Sequence, residues 1–395
     1  MKKILSVCIF LILLILLLPY SYVFTQTSLE KHESLATKLV NQCANIKEND
    51  FVLISGSVRD ADLMDEIAIQ TSKIGAHNFV TLVSQKRNRR YFDVVPEKYD
   101  SRSPELWMKM AQLIDVVISI ESGESTDLFR DVPATRLQAF SEASNSFLET
   151  LENRNVRSVN LGNDLYPTEA LAKRFGISQS KLADLFWNGV NVDYLALQKK
   201  GESLKQALAS GKKIQLTSKA GTDITVEITA RPVYLSDGII TDEEAKSGYP
   251  ECQVWLPAGE VFVTPVPGSA EGIIYLEHYY YQGEEIKQLK LEFQAGKLIS
   301  MTAEAGIENY KNRYDLAGEG KDEFSFIDIG VNPEVKFITG SKMEAWMASG
   351  MVSVGTGNNK WAGGENNSSY GSAYHLADAT IKIDGKIIVE KGVLK

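Results

Sequence analysis

Histidine and cysteine, two common carriers of metal-binding and nucleophilic chemistry, are scarce in this chain of 395 residues: His32, His77, His278 and His375, with Cys8, Cys43 and Cys252. Cys8 lies inside an apolar run and reads as a small apolar residue. Cys43 and Cys252 are too few for a disulfide framework or a cysteine zinc site. Glycine-bearing turns that could face a ligand follow three apolar runs, as Ser55-Gly56, Glu121-Ser122-Gly123 and Gly162-Asn163. None is a G-x-G-x-x-G fingerprint, so they read as strand-to-helix turns, with a cleft-lining role as the alternative. Gly355-Thr356-Gly357-Asn358-Asn359-Lys360 superficially resembles a phosphate cradle. It lacks the strand-to-helix context and the Gly-Lys-Ser/Thr ending, and reads as a flexible loop.

The elements that must position these residues alternate in type. Leu35, Leu39, Cys43 and Ile46 share one helical face, and the run Phe51 to Ile54 follows as a strand. Met64, Ile67, Ala68, Thr71 and Ile74 give a second helix, and Phe79 to Val83 a second strand. Leu106 to Leu113, Val116 to Ile120, a helix carrying Leu137, Phe140, Phe147, Leu148 and Leu151, and Val156 to Leu161 continue the alternation. Four apolar runs separated by amphipathic helices predict a mostly parallel sheet with right-handed crossovers. After Gly201 to Leu208 the texture becomes β-rich, opening with a hairpin around Ala220-Gly221-Thr222-Asp223. The fold class is therefore α/β: an α/β domain over 28–208 and a β-rich α+β domain over 209–395.

Lys2 and Lys3 precede an apolar stretch from Ile4 to Leu18, a signal-sequence layout over residues 1–25. Apolar residues continue to Phe24 and no A-x-A-like site follows, so cleavage and an uncleaved anchor stay open. Either way the folded part is expected to be exported or membrane-anchored, outside the cytoplasm. A formal net charge of −9 excludes a nucleic-acid surface, which needs a basic stripe. The basic run Lys86 to Arg90 reads as solvated loop.

The segment Trp255-Leu256-Pro257-Ala258-Gly259-Glu260-Val261-Phe262, continuing through Pro265 and Gly268 to Glu271-Gly272, resembles the signature of the thermophilic aminopeptidases, the aminopeptidase T and aminopeptidase S metallopeptidases. Gly221-Thr222-Asp223 and Ser236-Asp237-Gly238 before it, and Gly330-Val331-Asn332-Pro333 after it, keep the same order. The resemblance implies two metal ions and hydrolysis of the peptide bond beside a free N-terminus. Such a centre needs about five hard or borderline ligands and a base.

Carried over position by position, Glu260 keeps the first carboxylate. The second falls on Phe326, which cannot bind a metal; Asp328 lies two residues on, on the same strand face, with Glu323 nearby. A histidine position falls on Met351, and a supporting tyrosine on Asn358. The last element matches Ser372-Ala373-Tyr374-His375 but puts Ala377 where an aspartate belongs. Asp378 is one residue late and would need a bulge to turn inward. Glu260, His375, Asp378 and Asp328 are thus the candidate ligands for one divalent ion (zinc, manganese or iron), or for none. Three functions follow: a metallo-aminopeptidase-like exopeptidase with a partly lost metal site, a catalytically inactive binding or scaffolding homologue, or a mononuclear iron dioxygenase-like enzyme, for which the C-terminal region offers a single candidate histidine besides His278. The expected partner is a peptide or small-molecule ligand, with the membrane added if the leader stays uncleaved. A homodimer is the assembly that the resemblance implies.

Overall fold

The computed structural model describes residues 30–395 apart from 122, 124, 125, 339 and 344. The leader expected over residues 1–25 lies outside the described residues. No helix among the described residues is long and apolar enough to cross a membrane.

Short β-branched runs form β1 (Phe51–Gly56), β2 (His77–Leu82), β3 (Val116–Ile120) and β4 (Arg157–Leu161). They pair in parallel in the order β2-β1-β3-β4. Helices Ala61–Lys73, Glu105–Ala111 and Ala134–Asn153 make crossovers between them. Val52, Ile54, Val116, Ile118 and Val159 pack with Leu63, Met64 and Ile67 into one core. Cys43 and Cys252 are buried free thiols. The run Lys86 to Arg90, expected as loop, lies in a helix, Gln85–Val94. Ser84 caps that helix by accepting from the Arg87 N–H, and Arg89 pairs with Asp93 one turn on and with Asp131.

The chain then makes β5 (Val233–Ser236), β6 (Gln253–Leu256) and β7 (Glu260–Val263). Strand β6 returns to the first sheet as its fifth parallel strand, beside β4. That strand comes from beyond residue 209, where the sequence texture changes. Only Pro257 to Gly259 separate it from β7, which enters an antiparallel sheet, so Glu260 starts at the junction of the two sheets. Gly259 is required there: a Cβ on it would come within 2.9 Å of the Asn332 backbone nitrogen. Asn332 in turn ties the junction down, its Nδ2 donating to the carbonyls of Ala258 (2.6 Å) and Gly189 (3.1 Å).

The antiparallel sheet is completed by β8 (Phe324–Gly330), β9 (Val352–Gly357) and β10 (Gly371–Leu376), in the order β10-β9-β8-β7-β5. The pairing of β8 with β9 shifts register between Phe324 and Ile327, a bulge beside Phe326. A separate eight-stranded sheet includes the expected hairpin, Lys213–Thr217 with Asp223–Glu227, and both long strands Glu271–Tyr281 and Glu284–Gln294.

Candidate functional site

Strand register sets one wall of the site. Tyr234, Phe262, Asp328, Ser353 and His375 stand side by side across β5, β7, β8, β9 and β10, and Ser236, Glu260 and Gly330 form the next row on the same face. The facing wall comes from the C-terminal ends of β3, β4 and β6, with Glu121, Asn160, Asn163, Asp164 and Trp255. Between the walls is a cavity of about 460 Å³. Open α/β sheets commonly place ligands at this end of their strands. The turns after β3 and β4 do line the cleft, through Glu121 and Asn163.

Glu260 is 4% exposed. Its Oε1 accepts from Asn163 Nδ2 at 2.7 Å, and Trp346 supplies a second hydrogen bond. Burial nonetheless pushes the Glu260 carboxyl up to about 7. Asn163 reaches Glu260 from a left-handed backbone (φ 45°), a conformation that asparagine tolerates better than most residues. Asp328 is 5% exposed, and its Oδ1 has no hydrogen-bond partner. Burial, and then the charge of Glu260, hold the Asp328 carboxyl well above the usual range. Two carboxyls buried in each other's field are relieved by protonation or by a cation.

His375 Nδ1 lies 2.8 Å from Ser353 Oγ, and the ring stacks on Trp346 with centroids 5.4 Å apart. Burial pushes the imidazole down to about 4, so it is neutral at neutral pH. The row Asp328–Ser353–His375 is no serine triad, because the carboxylate stands beside the serine, whereas a triad needs it on the far nitrogen of the histidine.

Phe326 closes the cavity with apolar surface. Its ring occupies the space over Gly355, where a Cβ would come within 2.3 Å, and meets Trp361 edge-on at 5.2 Å. Trp361 continues the wall to Trp255 at 5.7 Å.

Of the sequence candidates, Glu260, Asp328 and His375 line this cavity, and Asp378 does not. The β9–β10 register runs unbroken from Gly371 to Leu376, so the bulge that Asp378 would need is absent; it sits exposed in the turn that follows. Asp378 instead borders a second cavity of about 430 Å³ with Met351, Ala377 and His278, and His375 reaches both. His278 is bonded to Glu285 at 2.7 Å. The segment Gly355 to Lys360, expected as a flexible loop, is the end of β9 followed by a bonded turn in which Asn359 donates to the Ser325 carbonyl and accepts from the Asn366 N–H. Sequence reasoning missed Trp346, Trp361, Asn160 and Ser353 as lining residues: the two tryptophans lie outside any motif, and Asn160 and Ser353 are polar members of strands recognised by their apolar residues.

For a divalent ion the chain offers Glu260 and Asp328, whose unpartnered Oδ1 a cation would satisfy. Among the described residues, no group of three or more His, Cys, Asp or Glu side chains could hold a metal. Glu260 and Asp328, with His375 in the same cavity, are the candidate ligands that the structure brings together.

Wild-type AmpT from Thermus thermophilus shares this fold, with a TM-score of 0.71 at 16% identity over 92% of this chain and 99% of that one. The 2,5-dihydroxypyridine dioxygenase from Pseudomonas putida KT2440 is also similar, with a TM-score of 0.60 at 13% identity over 93% of this chain and 97% of that one. At these identities the likeness is one of fold. No curated protein sequence matches the chain. The sequence pattern described as thermophilic metalloprotease (M29) matches residues 28–317, taking in the parallel sheet, β7 and Glu260 and ending before Phe326. With well over half of its length matched, the chain belongs to the M29 family of thermophilic metalloproteases.

Proposed function

We propose that this chain is an aminopeptidase-like member of the family that acts at the free N-terminus of a peptide, with a metal centre reduced to a single divalent ion between Glu260 and Asp328. The observation that carries the reading is the buried, unpartnered Oδ1 of Asp328 beside the Glu260 carboxyl. A divalent ion there supplies Lewis-acid polarisation of the scissile carbonyl. Asn163 and Trp346 fix the Glu260 side chain. Ser353 fixes His375 through Nδ1, leaving the second ring nitrogen of a neutral imidazole as a hydrogen-bonding group for a ligand. Trp255, Phe326, Trp346 and Trp361 present apolar surface around these groups.

The second reading is a metal-free binding homologue, and the packing of Phe326 favours it. That ring stands where the resemblance expects a carboxylate and is built into the wall by Gly355 and Trp361. The iron dioxygenase reading finds one imidazole in this cavity, His375, with His278 in the neighbouring one.

Calorimetric titration of the chelated protein with zinc, manganese and iron(II), alongside an assay of amino-acid release from peptides, separates the two. One ion per chain, lost in Glu260→Gln and Asp328→Asn together with peptide hydrolysis, is the expected result. Absence of binding by all three ions, with no hydrolysis, leaves the metal-free reading. Export is part of the proposal, carried by Lys2, Lys3 and the apolar run after them. Protease added to intact spheroplasts digests an exported domain, and protection until lysis overturns that assignment.

A further inference from the structure

Among the described residues, four carboxyls line the cavity and no lysine or arginine does. Glu260 and Asp328 are its buried pair. Glu121 and Asp164 form a second pair at the ends of β3 and β4, with Asp164 exposed at the rim. The Asp164 N–H donates to both Glu121 oxygens, at 3.2 and 3.0 Å, which holds the Glu121 carboxyl against the Asp164 backbone. Gly162 backs this arrangement, since a Cβ there would come within 2.4 Å of the Glu121 side chain.

Neighbouring basic groups offset the charge of the outer pair only in part. Arg59 is engaged with Asp60 and with the backbone carbonyl of Glu121. The charge of Arg174 is felt at Glu121 and Asp164, yet its guanidinium lies over the Phe175 ring and makes no ion pair with either carboxyl. Trp255, Phe326 and Trp361 stand in the same cavity. Aromatic surface accepts the methylene stem of a basic side chain, and indole faces attract its charged end. The unpartnered Asp328 Oδ1 is the independent sign that a cationic ligand belongs here.

We propose that the cavity selects ligands whose first residue is lysine or arginine, with the side-chain cation at Glu121 and Asp164, the stem on the aromatic wall, and the amino-terminal end toward Glu260 and Asp328. This rests on the reading of the cavity as the seat of a peptide N-terminus. It adds that a second positive charge, on the side chain of the first residue, is the feature recognised.

The test uses the full chain after chelation, titrated calorimetrically with L-lysinamide and with L-norleucinamide, which has the same stem without the terminal charge. Lysinamide is expected to bind at least ten-fold more tightly. Glu121→Gln combined with Asp164→Asn is expected to reduce that ratio below two-fold, with an unchanged far-ultraviolet circular dichroism spectrum. Should the double variant fail to fold, Asp164→Asn alone, at the exposed position, is expected to reduce the ratio at least three-fold. Equal or weaker binding of lysinamide, no binding of either amide, or a preference that survives the substitutions overturns the proposal. Because no metal is present, failure to load an ion leaves this selectivity standing. Metal-dependent hydrolysis without any preference for a basic first residue overturns the selectivity alone.

Discussion

Replacing Phe326 with glutamate puts a carboxylate where the resemblance expects one, and the structure sets what that exchange costs. Phe326 is buried over Gly355 and edge-on to Trp361. Removing the ring forfeits roughly 2–3 kcal/mol of apolar burial. A further ~0.5–1.5 kcal/mol goes with the aromatic contact. The chelated variant should therefore unfold about 5–9 °C below the wild type, taking about 2 °C per kcal/mol for a chain of this size. A third carboxylate beside Glu260 and Asp328 also makes an ion site, and free ion at about 100 times its dissociation constant returns about 2.7 kcal/mol. Differential scanning calorimetry of both proteins, chelated and with manganese or zinc, reads all four values. The expected pattern is a large loss and a large metal-dependent recovery in Phe326→Glu, against a rise of about 2 °C or less in the wild type. A chelated variant as stable as the wild type, or equal metal-dependent rises in both, refutes the reasoning.

Three further outcomes follow from groups described above or packed nearby. Asn163→Ala removes the donor shared by Glu260 and the Pro257 carbonyl, leaving buried acceptors unpaired, and should cost about 2–4 kcal/mol in urea unfolding; a loss under about 0.5 kcal/mol contradicts the bonding. Glu121 rises from its ordinary 4.5 to about 7 in the fold, first through burial and then through the Asp164 charge. The folded state thus holds a proton that the unfolded state releases between those values, so stability should fall by roughly 2–3 kcal/mol as pH rises from about 4.5 through 7. Urea midpoints across that window should fall less steeply in Glu121→Gln, and an identical slope counts against the assignment. Arg136 donates to both Asp100 oxygens (2.6 and 2.8 Å) and to the Phe92 and Val95 carbonyls. Truncating it strands a buried carboxylate, so Arg136→Ala should lose about 3–5 kcal/mol in the same measurement, and a loss below about 1 kcal/mol would show the pair to be dispensable.

The first four parallel strands were readable because each is a compact β-branched or aromatic run between helical periodicities, as in Val116 to Ile120. Strand β6 was not, although its residues carry the most specific motif in the chain. Nothing local in Gln253–Leu256 records that its partner is Ser158 to Leu161. Lys86 to Arg90 was misread because charge obscured a helix whose start is marked by Ser84. At the site, the motif gave Glu260, and strand alternation put Asp328 on the face of Phe326. Trp346 was invisible: it contacts Glu260 and His375 from an aperiodic loop, and only the closed fold brings it there. Asp378 shows the reverse error, a residue of suitable chemistry in a turn that the pleat directs elsewhere.

The late arrival of β6 also shapes how the chain is made. Strand β4 ends at Leu161, and the strand that covers its free edge ends at Leu256. During synthesis at about 5–20 residues per second, the nascent sheet waits roughly 5–20 s with that row of backbone donors and acceptors open. An uncovered strand edge is a template for pairing with another chain. The N-terminal half released alone, by truncation or by a premature stop, would keep that edge permanently, and so would be expected to need a holding chaperone or to aggregate.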